Sequence, residues 1–231
     1  SPYYLGHTAA MPPMISFVAP SGTGKTTLVE SVIAARVAQG VRGAGVKHDA
    51  HRIELDTEGK DSWRMRKAGA DTLLAGRTQL AWMSDRGTAP PLEDLVALFF
   101  ADADVIIVEG QGALSHPTYL SSTAVLRGSR PSAVILQHAP ARTTVSDYPA
   151  FTMPTPRSEI SLIETFADTK VVGLTINHEN MTDSAVSAAI ALFELELGIT
   201  ATDALTRPVE RLTAMVFATR PELRPAPVAA R

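Results

Sequence analysis

Nine residues near the start of the chain have the types and spacing that phosphate binding needs. Residues 19–27 read Ala-Pro-Ser-Gly-Thr-Gly-Lys-Thr-Thr and directly follow an apolar run at residues 14–18. A strand that ends in a glycine-rich turn and continues as a helix directs several backbone N–H groups into one concavity, where the helix dipole also favours an anion. The pattern predicts that a nucleoside triphosphate binds through Ser21, Gly22, Thr23, Gly24, Lys25, Thr26 and Thr27.

Two side chains of this loop have specific expected roles. Lys25 should reach the β- and γ-phosphates, and the Thr26 hydroxyl should ligate Mg²⁺. Ala19 stands where the pattern G-x-x-x-x-G-K-[S/T] has its first glycine, which costs little if that position does not need a positive φ. A loop that merely turns the chain is the alternative, but the strand before it and the helix after it supply the context that the motif requires.

The apolar run at residues 105–108 ends in the carboxylate of Glu109. Nucleotide hydrolases of this type place a metal-organising acid at the end of such a strand, so Glu109 is expected to organise Mg²⁺ and to act in catalysis. A carboxylate that simply ends a strand and meets water is the alternative. Gly110 and Gly112 follow it, and their lack of a side chain would let a bound phosphate or carboxylate approach the backbone closely.

A polar loop after the second apolar run carries further candidate ligands. His48, Asp49, His51 and Asp56 fall at the carboxyl end of the predicted strand, which is the ligand-binding edge of an open α/β sheet. Asp49 or Asp56 could ligate Mg²⁺, and Lys60 could contact a phosphate. Each histidine alone is more often a surface or packing residue, and a structural zinc site is a weaker alternative because a third soft ligand is missing.

The elements that must position these residues alternate between strands and helices. Five apolar runs predict core strands, at residues 14–18, 43–47, 105–108, 133–136 and 171–176. With helical patterns between them, they predict an α/β fold with a doubly wound, mostly parallel sheet of the P-loop NTPase type. Asn177 closes the last of these runs, where its amide could read a purine edge or could simply form a turn.

Three ranges describe the expected domain organisation. Residues 1–13 are an N-terminal extension, residues 14–218 a P-loop NTPase domain, and residues 219–231 a flexible tail. Within the domain, residues 139–156 show neither the strand nor the helix period. A segment of that length predicts either a substrate lid or a bland excursion of the chain.

The composition excludes several classes of function. The formal net charge is −3 and no Lys/Arg block is present, so nucleic acid is not an expected partner. The absence of cysteine excludes disulfides, zinc thiolate sites and a catalytic thiol. No apolar run approaches the roughly 20 residues of a membrane span, and the start of the chain lacks the pattern of a signal peptide. We therefore expect a cytoplasmic protein without a membrane partner.

The polar loop and the helix after it resemble a known family. Val-Lys-His-Asp-Ala-His at residues 46–51, Asp56, and Gly-Lys-Asp-Ser-Trp-Arg-Met-Arg-Lys-Ala-Gly-Ala at residues 59–70 resemble the MobB family, GTP-binding adaptors of molybdopterin guanine dinucleotide synthesis. With the phosphate loop and Glu109, the resemblance covers about the first half of the chain. It implies nucleotide contacts at residues 22–27 and metal or phosphate roles within residues 48–61.

The second half resembles a different family. Glu-Gly-Gln-Gly-Ala-Leu-Ser-His-Pro at residues 109–117, with residues 171–180 and 194–198, is similar to the C-terminal P-loop domain of the D-glutamate N-acetyltransferase family. Glu-Gly-x-Gly after a core strand is also similar to dethiobiotin synthetase, an ATP-using enzyme that activates a small carboxylate. In that company His116 and Tyr119 would face a substrate.

Together these patterns predict a Mg²⁺-dependent protein of MobB-like type that binds GTP or ATP and acts in cofactor biosynthesis with weak hydrolysis. The alternative is an ATP-dependent enzyme that phosphorylates, ligates or acylates a small carboxylate or amino acid, with Lys25, Glu109 and His116 as catalytic residues. An adaptor that uses the nucleotide only as a switch is a third class. The expected partners are a nucleoside triphosphate and a small-molecule substrate or partner enzyme, and a homodimer is left open.

Overall fold

The computed structural model describes residues 11–47, 55–85, 90–110, 112–117, 120–203 and 205–219. The strands in these residues are β1 (Met14–Val18), β2 (Gly43–Lys47), β3 (Thr72–Ala75), β4 (Leu80–Met83), β5 (Val105–Glu109), β6 (Ala133–His138), β7 (Thr144–Val145), β8 (Tyr148–Thr152), β9 (Val171–Ile176) and β10 (Thr200–Thr202). The helices are α1 (Lys25–Ala38), α2 (Asp61–Lys67), α3 (Leu92–Phe99), α4 (Leu120–Ser129), α5 (Pro156–Ala167), α6 (Asp183–Leu197) and α7 (Val209–Thr219).

Six strands form one parallel sheet in the order β10-β9-β6-β1-β5-β2. Strand β1 lies between β5 and β6. The chain adds β2 and β5 on one side of β1 and then adds β6, β9 and β10 on the other side. Each parallel connection requires a crossover, which the helices provide. The prediction of a doubly wound, mostly parallel α/β sheet is confirmed.

Helices cover both faces of the sheet, and its central strands are apolar at most of their positions. On one face, Ile15 and Phe17 of β1 pack with Leu28 and Val32 of α1, and α7 adds its own apolar residues. On the other face, Val134 and Leu136 of β6 pack with residues from α4, α5 and α6. Continuous apolar runs such as Val105–Val108 are therefore required, since neither face of these strands meets water.

The chain divides into two compact units, one from residues 1–49 with 92–231 and one from residues 50–91. The smaller unit holds α2 and the antiparallel pair β3–β4, in register from Thr72 opposite Met83. In that unit the guanidinium of Arg66 lies 3.1 Å from the Asp85 carboxylate. Ser62 there donates a hydrogen bond of 2.9 Å to Asp56.

Residues 139–156 have more structure than their sequence suggests. They contain the antiparallel hairpin β7–β8, in which Thr144 lies opposite Thr152 and Val145 opposite Tyr148. The sequence did not predict this hairpin, because β7 has only two residues and β8 contains Pro149, which is rare inside strands.

Among the described helices, none combines the length and apolar character that a bilayer crossing requires.

Candidate phosphate-binding site

The loop between β1 and α1 has the conformation that its glycines allow. Gly22 has a φ of 66° and Gly24 a φ of 81°, so both lie in the left-handed region that a residue with a Cβ rarely adopts. Ala19, which replaces a glycine of the motif, is fully buried and has a negative φ. The substitution is therefore compatible with the loop, because the positive φ values fall elsewhere.

One side chain of the loop and three from elsewhere in the fold bind the outward-facing carbonyls of this loop. Thr23 donates its hydroxyl to the Pro20 carbonyl at 2.8 Å. Arg142 donates from Nη1 to the Ser21 carbonyl at 2.9 Å and from Nη2 to the Gly22 carbonyl at 2.8 Å. Asn177 donates from Nδ2 to the Thr23 carbonyl at 2.9 Å, and Gln137 donates from Nε2 to the same oxygen.

These contacts orient the amides as well as the carbonyls. In a trans peptide the C=O and the following N–H point in opposite directions, and no peptide bond of the loop is cis. Carbonyls fixed outward at Ser21, Gly22 and Thr23 turn the N–H groups of Gly22, Thr23 and Gly24 toward the other side. Consecutive N–H groups arranged in this way form an anion-binding concavity, with the N-terminus of α1 beside it.

Thr26 and Glu109 are brought together although they are 83 residues apart. The Thr26 hydroxyl donates to Oε1 of Glu109 at 2.8 Å, since α1 begins over the end of β1 and Glu109 ends the neighbouring strand β5. Phe17 of β1 and Lys47 of β2 flank Glu109 in the sheet register. A hydroxyl and a carboxylate are hard oxygen donors, and one or two protein oxygens completed by substrate phosphates are what Mg²⁺ uses. The donor set therefore fits that ion.

Lys25, the first residue of α1, lies near both Glu109 and Lys47. Burial lowers the pKa of Lys25, Glu109 acts to raise it, and the nearby Lys47 lowers it further. The ammonium group is costly to bury alone, and this cost is reduced when an anion is bound beside it. Lys47 is a cation near the loop that the sequence analysis did not assign to the site, although it precedes the polar loop directly.

Three further residues of the site were missed or given a different role. Gln137 is the penultimate residue of the buried strand β6. Arg142 lies within residues 139–156, which were predicted as either a substrate lid or a bland excursion, so neither residue belongs to a recognisable motif. The amide of Asn177 holds the phosphate loop through Nδ2 and accepts from the Glu179 N–H at 2.8 Å through Oδ1. Both ends of this amide are thus used within the protein.

His116 is buried, with 7 % of its surface exposed. Its ring packs edge-to-face on Tyr148 of β8, with centroids 5.4 Å apart. Burial lowers the pKa of His116, and Asp147 opposes this shift. The segment that carries His116 is held by Glu159 of α5, which accepts hydrogen bonds from the backbone N–H of Leu114 and from the backbone and the hydroxyl of Ser115.

Other predicted site residues either lie outside the described residues or belong to the smaller unit. Asp49 lies outside the described residues, as do His48, His51, Gln111 and Tyr119. Asp56 and Lys60 belong to the smaller unit. Within the described ranges, no group of three or more His, Asp or Glu side chains could hold a metal ion. Thr26 and Glu109 are therefore the members of the predicted metal set that the structure places together.

The fold and this loop define the class of the protein, which is that of the P-loop NTPases. A crystal structure of a DUF1611 family protein from Anabaena variabilis has the same fold, with a TM-score of 0.67 and 20% identity over 90% of this chain and 58% of that one. The family model described as "Domain of unknown function (DUF1611_C) P-loop domain" matches residues 65–213, more than half of the sequence. The chain belongs to this family.

Two curated relatives are each similar to part of this chain. The molybdopterin-guanine dinucleotide biosynthesis adapter protein of Escherichia coli (strain K12) is 41% identical in an alignment of 107 residues that covers 43% of this chain and 59% of the relative. The D-glutamate N-acetyltransferase of Tritonibacter scottomollicae is 28% identical in an alignment of 143 residues that covers 54% of this chain and 43% of the relative. The chain thus spans about half the length of these relatives, and the resemblance to both families is confirmed.

Proposed function

We propose that this chain is a Mg²⁺-dependent P-loop nucleotide-binding protein that takes GTP or ATP at residues 21–27. The observation that supports the proposal best is the loop itself, because three consecutive carbonyls are fixed outward and leave three amides to face an anion. Lys25 adds a cation whose burial is favourable only beside negative charge. The likeness to the adapter protein supports a role in cofactor biosynthesis with weak hydrolysis.

In this proposal each residue has a defined task. The amides of Gly22 to Gly24 and the Lys25 ammonium bind the phosphate chain, and Thr26 and Glu109 hold Mg²⁺. The ion, when bound, neutralises phosphate charge that develops on transfer or hydrolysis. Asn177 and Gln137 act by holding the Thr23 carbonyl, while Lys60 and Asp56 remain proposed phosphate and metal contacts of the smaller unit. A partner enzyme and a homodimer belong to the same proposal.

A thermal-shift experiment tests nucleotide binding. The full chain is melted alone and with ATP, GTP, ADP and GDP, each with and without Mg²⁺. A ligand at about 100 times its Kd stabilises by about 2.7 kcal/mol, which in a protein of this size is a rise of about 5–11 °C in Tm. Lys25→Ala should lose most of that rise, whereas Lys170→Ala, an exposed lysine paired with Glu164, should keep it. Melting curves unmoved by every triphosphate would contradict the proposal.

A second function is favoured by the position of His116. The residue follows Glu109 by seven positions and lies under Tyr148, and the chain is similar to an acetyltransferase that acts on a small acid. We therefore propose, as the alternative, an ATP-dependent enzyme acting on a small carboxylate or amino acid. Phosphate release measured against a panel of amino acids and dicarboxylates separates this enzyme from a MobB-like adaptor, which no member of the panel should stimulate.

A further inference from the structure

Arg142, which lies outside the phosphate-loop motif, binds two consecutive carbonyls of the loop. Its Nη1 and Nη2 bind the carbonyls of Ser21 and Gly22, and Nη1 also donates to the Ser146 hydroxyl at 2.7 Å. The guanidinium is in turn paired with Glu179, which accepts from Nε and, at 2.7 Å, from Nη2. One planar side chain therefore joins the loop to the carboxyl ends of β6 and β9.

The shape of this contact suits arginine and not lysine. A guanidinium presents five N–H donors in a rigid plane, so it can satisfy two carbonyls and a carboxylate at once. An ammonium carries three donors at a single point and cannot span the same acceptors. Glu179 keeps the plane in place, and the hydrogen bond between them lowers the pKa of Glu179.

The contact also fixes the backbone on both sides of Gly22. The two carbonyls that Arg142 holds flank Gly22, whose φ is 66°. A Cβ added to Gly22 would lie 3.9 Å from Nη1 of Arg142, so the guanidinium covers the outer side of this residue. The peptide units on both sides of Gly22 are thus fixed in the orientation that sends the Gly22 and Thr23 amides inward.

We propose that Arg142, oriented by Glu179, is a positioning residue that keeps the Gly22 and Thr23 amides directed at the phosphate chain of the ligand. The proposal rests on the nucleotide-binding function proposed above. Arg142 acts through the loop and not by touching the phosphates, because its donors are already used on the outer side and its charge is balanced by Glu179. An arginine that contacted the phosphates directly would have to leave both carbonyls and its carboxylate.

The two roles predict opposite results for the same variants. For a positioning residue, Arg142→Lys should weaken binding about tenfold or more, because the charge remains but the paired hydrogen bonds to the loop are lost. Glu179→Gln should also weaken binding, by about threefold to tenfold, because the guanidinium loses its orienting partner. For a direct phosphate contact, Arg142→Lys should keep most of the affinity, and Glu179→Gln should strengthen binding by releasing the cation.

The experiment is isothermal titration of the full chain with Mg-ATP, Mg-GTP and inorganic tripolyphosphate. Tripolyphosphate lacks a base, so an equal loss for all the ligands that bind places the effect at the phosphate loop. The matched control is Arg157→Lys, since Arg157 likewise binds a carbonyl and a carboxylate, both of Glu196, in contacts between α5 and α6. It should leave every affinity unchanged. Circular dichroism spectra and Tm of the unliganded variants report whether the fold is kept.

The results separate this proposal from the one on which it rests. A wild-type chain that binds none of the three ligands overturns both. If the wild-type chain binds, the positioning role alone is overturned by either of two results. One is that Arg142→Lys and Glu179→Gln have the wild-type affinity, and the other is that Glu179→Gln binds more tightly than the wild type. If Arg142→Lys fails to fold, Glu179→Gln decides, because the sign of its effect differs between the two roles.

Discussion

Replacement of Glu159 tests how the segment after β5 is held in place. The side chain is 3 % exposed and accepts three hydrogen bonds, from the backbone N–H of Leu114, from the backbone N–H of Ser115 at 3.3 Å and from the hydroxyl of Ser115 at 2.5 Å. All three donors lie about 45 residues away in sequence. The carboxylate is therefore expected to stabilise a tertiary contact between α5 and the segment after β5.

The magnitude follows from what each substitution leaves behind. Glu159→Ala leaves two backbone N–H groups and a hydroxyl without their acceptor, and an unsatisfied buried group costs about 1–3 kcal/mol. Water that enters the vacated space satisfies part of these groups and reduces the summed penalty. We therefore expect the free energy of unfolding to fall by about 3–5 kcal/mol in total. Glu159→Gln keeps one oxygen for the backbone donors and should cost about 1–2 kcal/mol.

Urea denaturation monitored by circular dichroism measures both free energies of unfolding. At about 2–4 °C per kcal/mol, Glu159→Ala should also lower Tm by about 6–20 °C. Glu30→Ala, at an exposed position of α1, serves as the control and should stay within about 0.5 kcal/mol of the parent. A Glu159→Ala variant as stable as the Glu30 control would refute the inference that this carboxylate holds the segment.

Three further predictions concern the site and the core. Glu109→Gln should cut nucleotide turnover by orders of magnitude while triphosphate binding, measured by titration, persists; full activity would leave Glu109 as an ordinary end of a strand. His116→Ala should abolish phosphate release stimulated by a small acid and spare basal nucleotide binding; an adaptor would show neither effect. Burial lowers the pKa of His138, packed edge-to-face on Phe193, to about 4. The unfolded chain then takes up a proton first, so about 3 kcal/mol of stability is lost as pH falls from about 6.5 to 4, and His138→Gln should flatten this part of the profile of unfolding free energy against pH.

The central strands and the phosphate loop could be predicted because their sequences are constrained locally. Val105–Val108 is apolar throughout since both faces of the sheet are covered, and Gly22 and Gly24 are needed where φ is positive. Glu109 could be placed for the same reason, because a carboxylate after such a strand must lie at its carboxyl end. The helices α4 and α5 were not predicted. Helix α4 contains three serines, a threonine and a glycine, which have low helix propensity, and helix α5 begins at Pro156, directly at the end of the irregular segment.

The contacts that set the loop could not be predicted from the sequence. Arg142 and Gln137 meet Ser21 to Thr23 across more than 110 residues, and only the strand order β6 beside β1 brings them together. Nothing in the composition around Arg142 separates it from an exposed arginine of a loop. The carboxylate partner Glu179, in the turn after β9, could not be predicted either, because the pairing depends on β9 lying beside β6 in the sheet.

The most direct test of the account follows the loop amides in solution. In ¹H–¹⁵N spectra of the full chain titrated with Mg-ATP or Mg-GTP, the largest changes should occur at the backbone amides of Gly22, Thr23, Gly24 and Lys25, and Lys25→Ala should remove them. This result would locate the phosphate chain in the concavity formed by the outward-held carbonyls. Saturable binding that leaves these four amides unmoved would contradict the account, as would the absence of binding of either nucleotide.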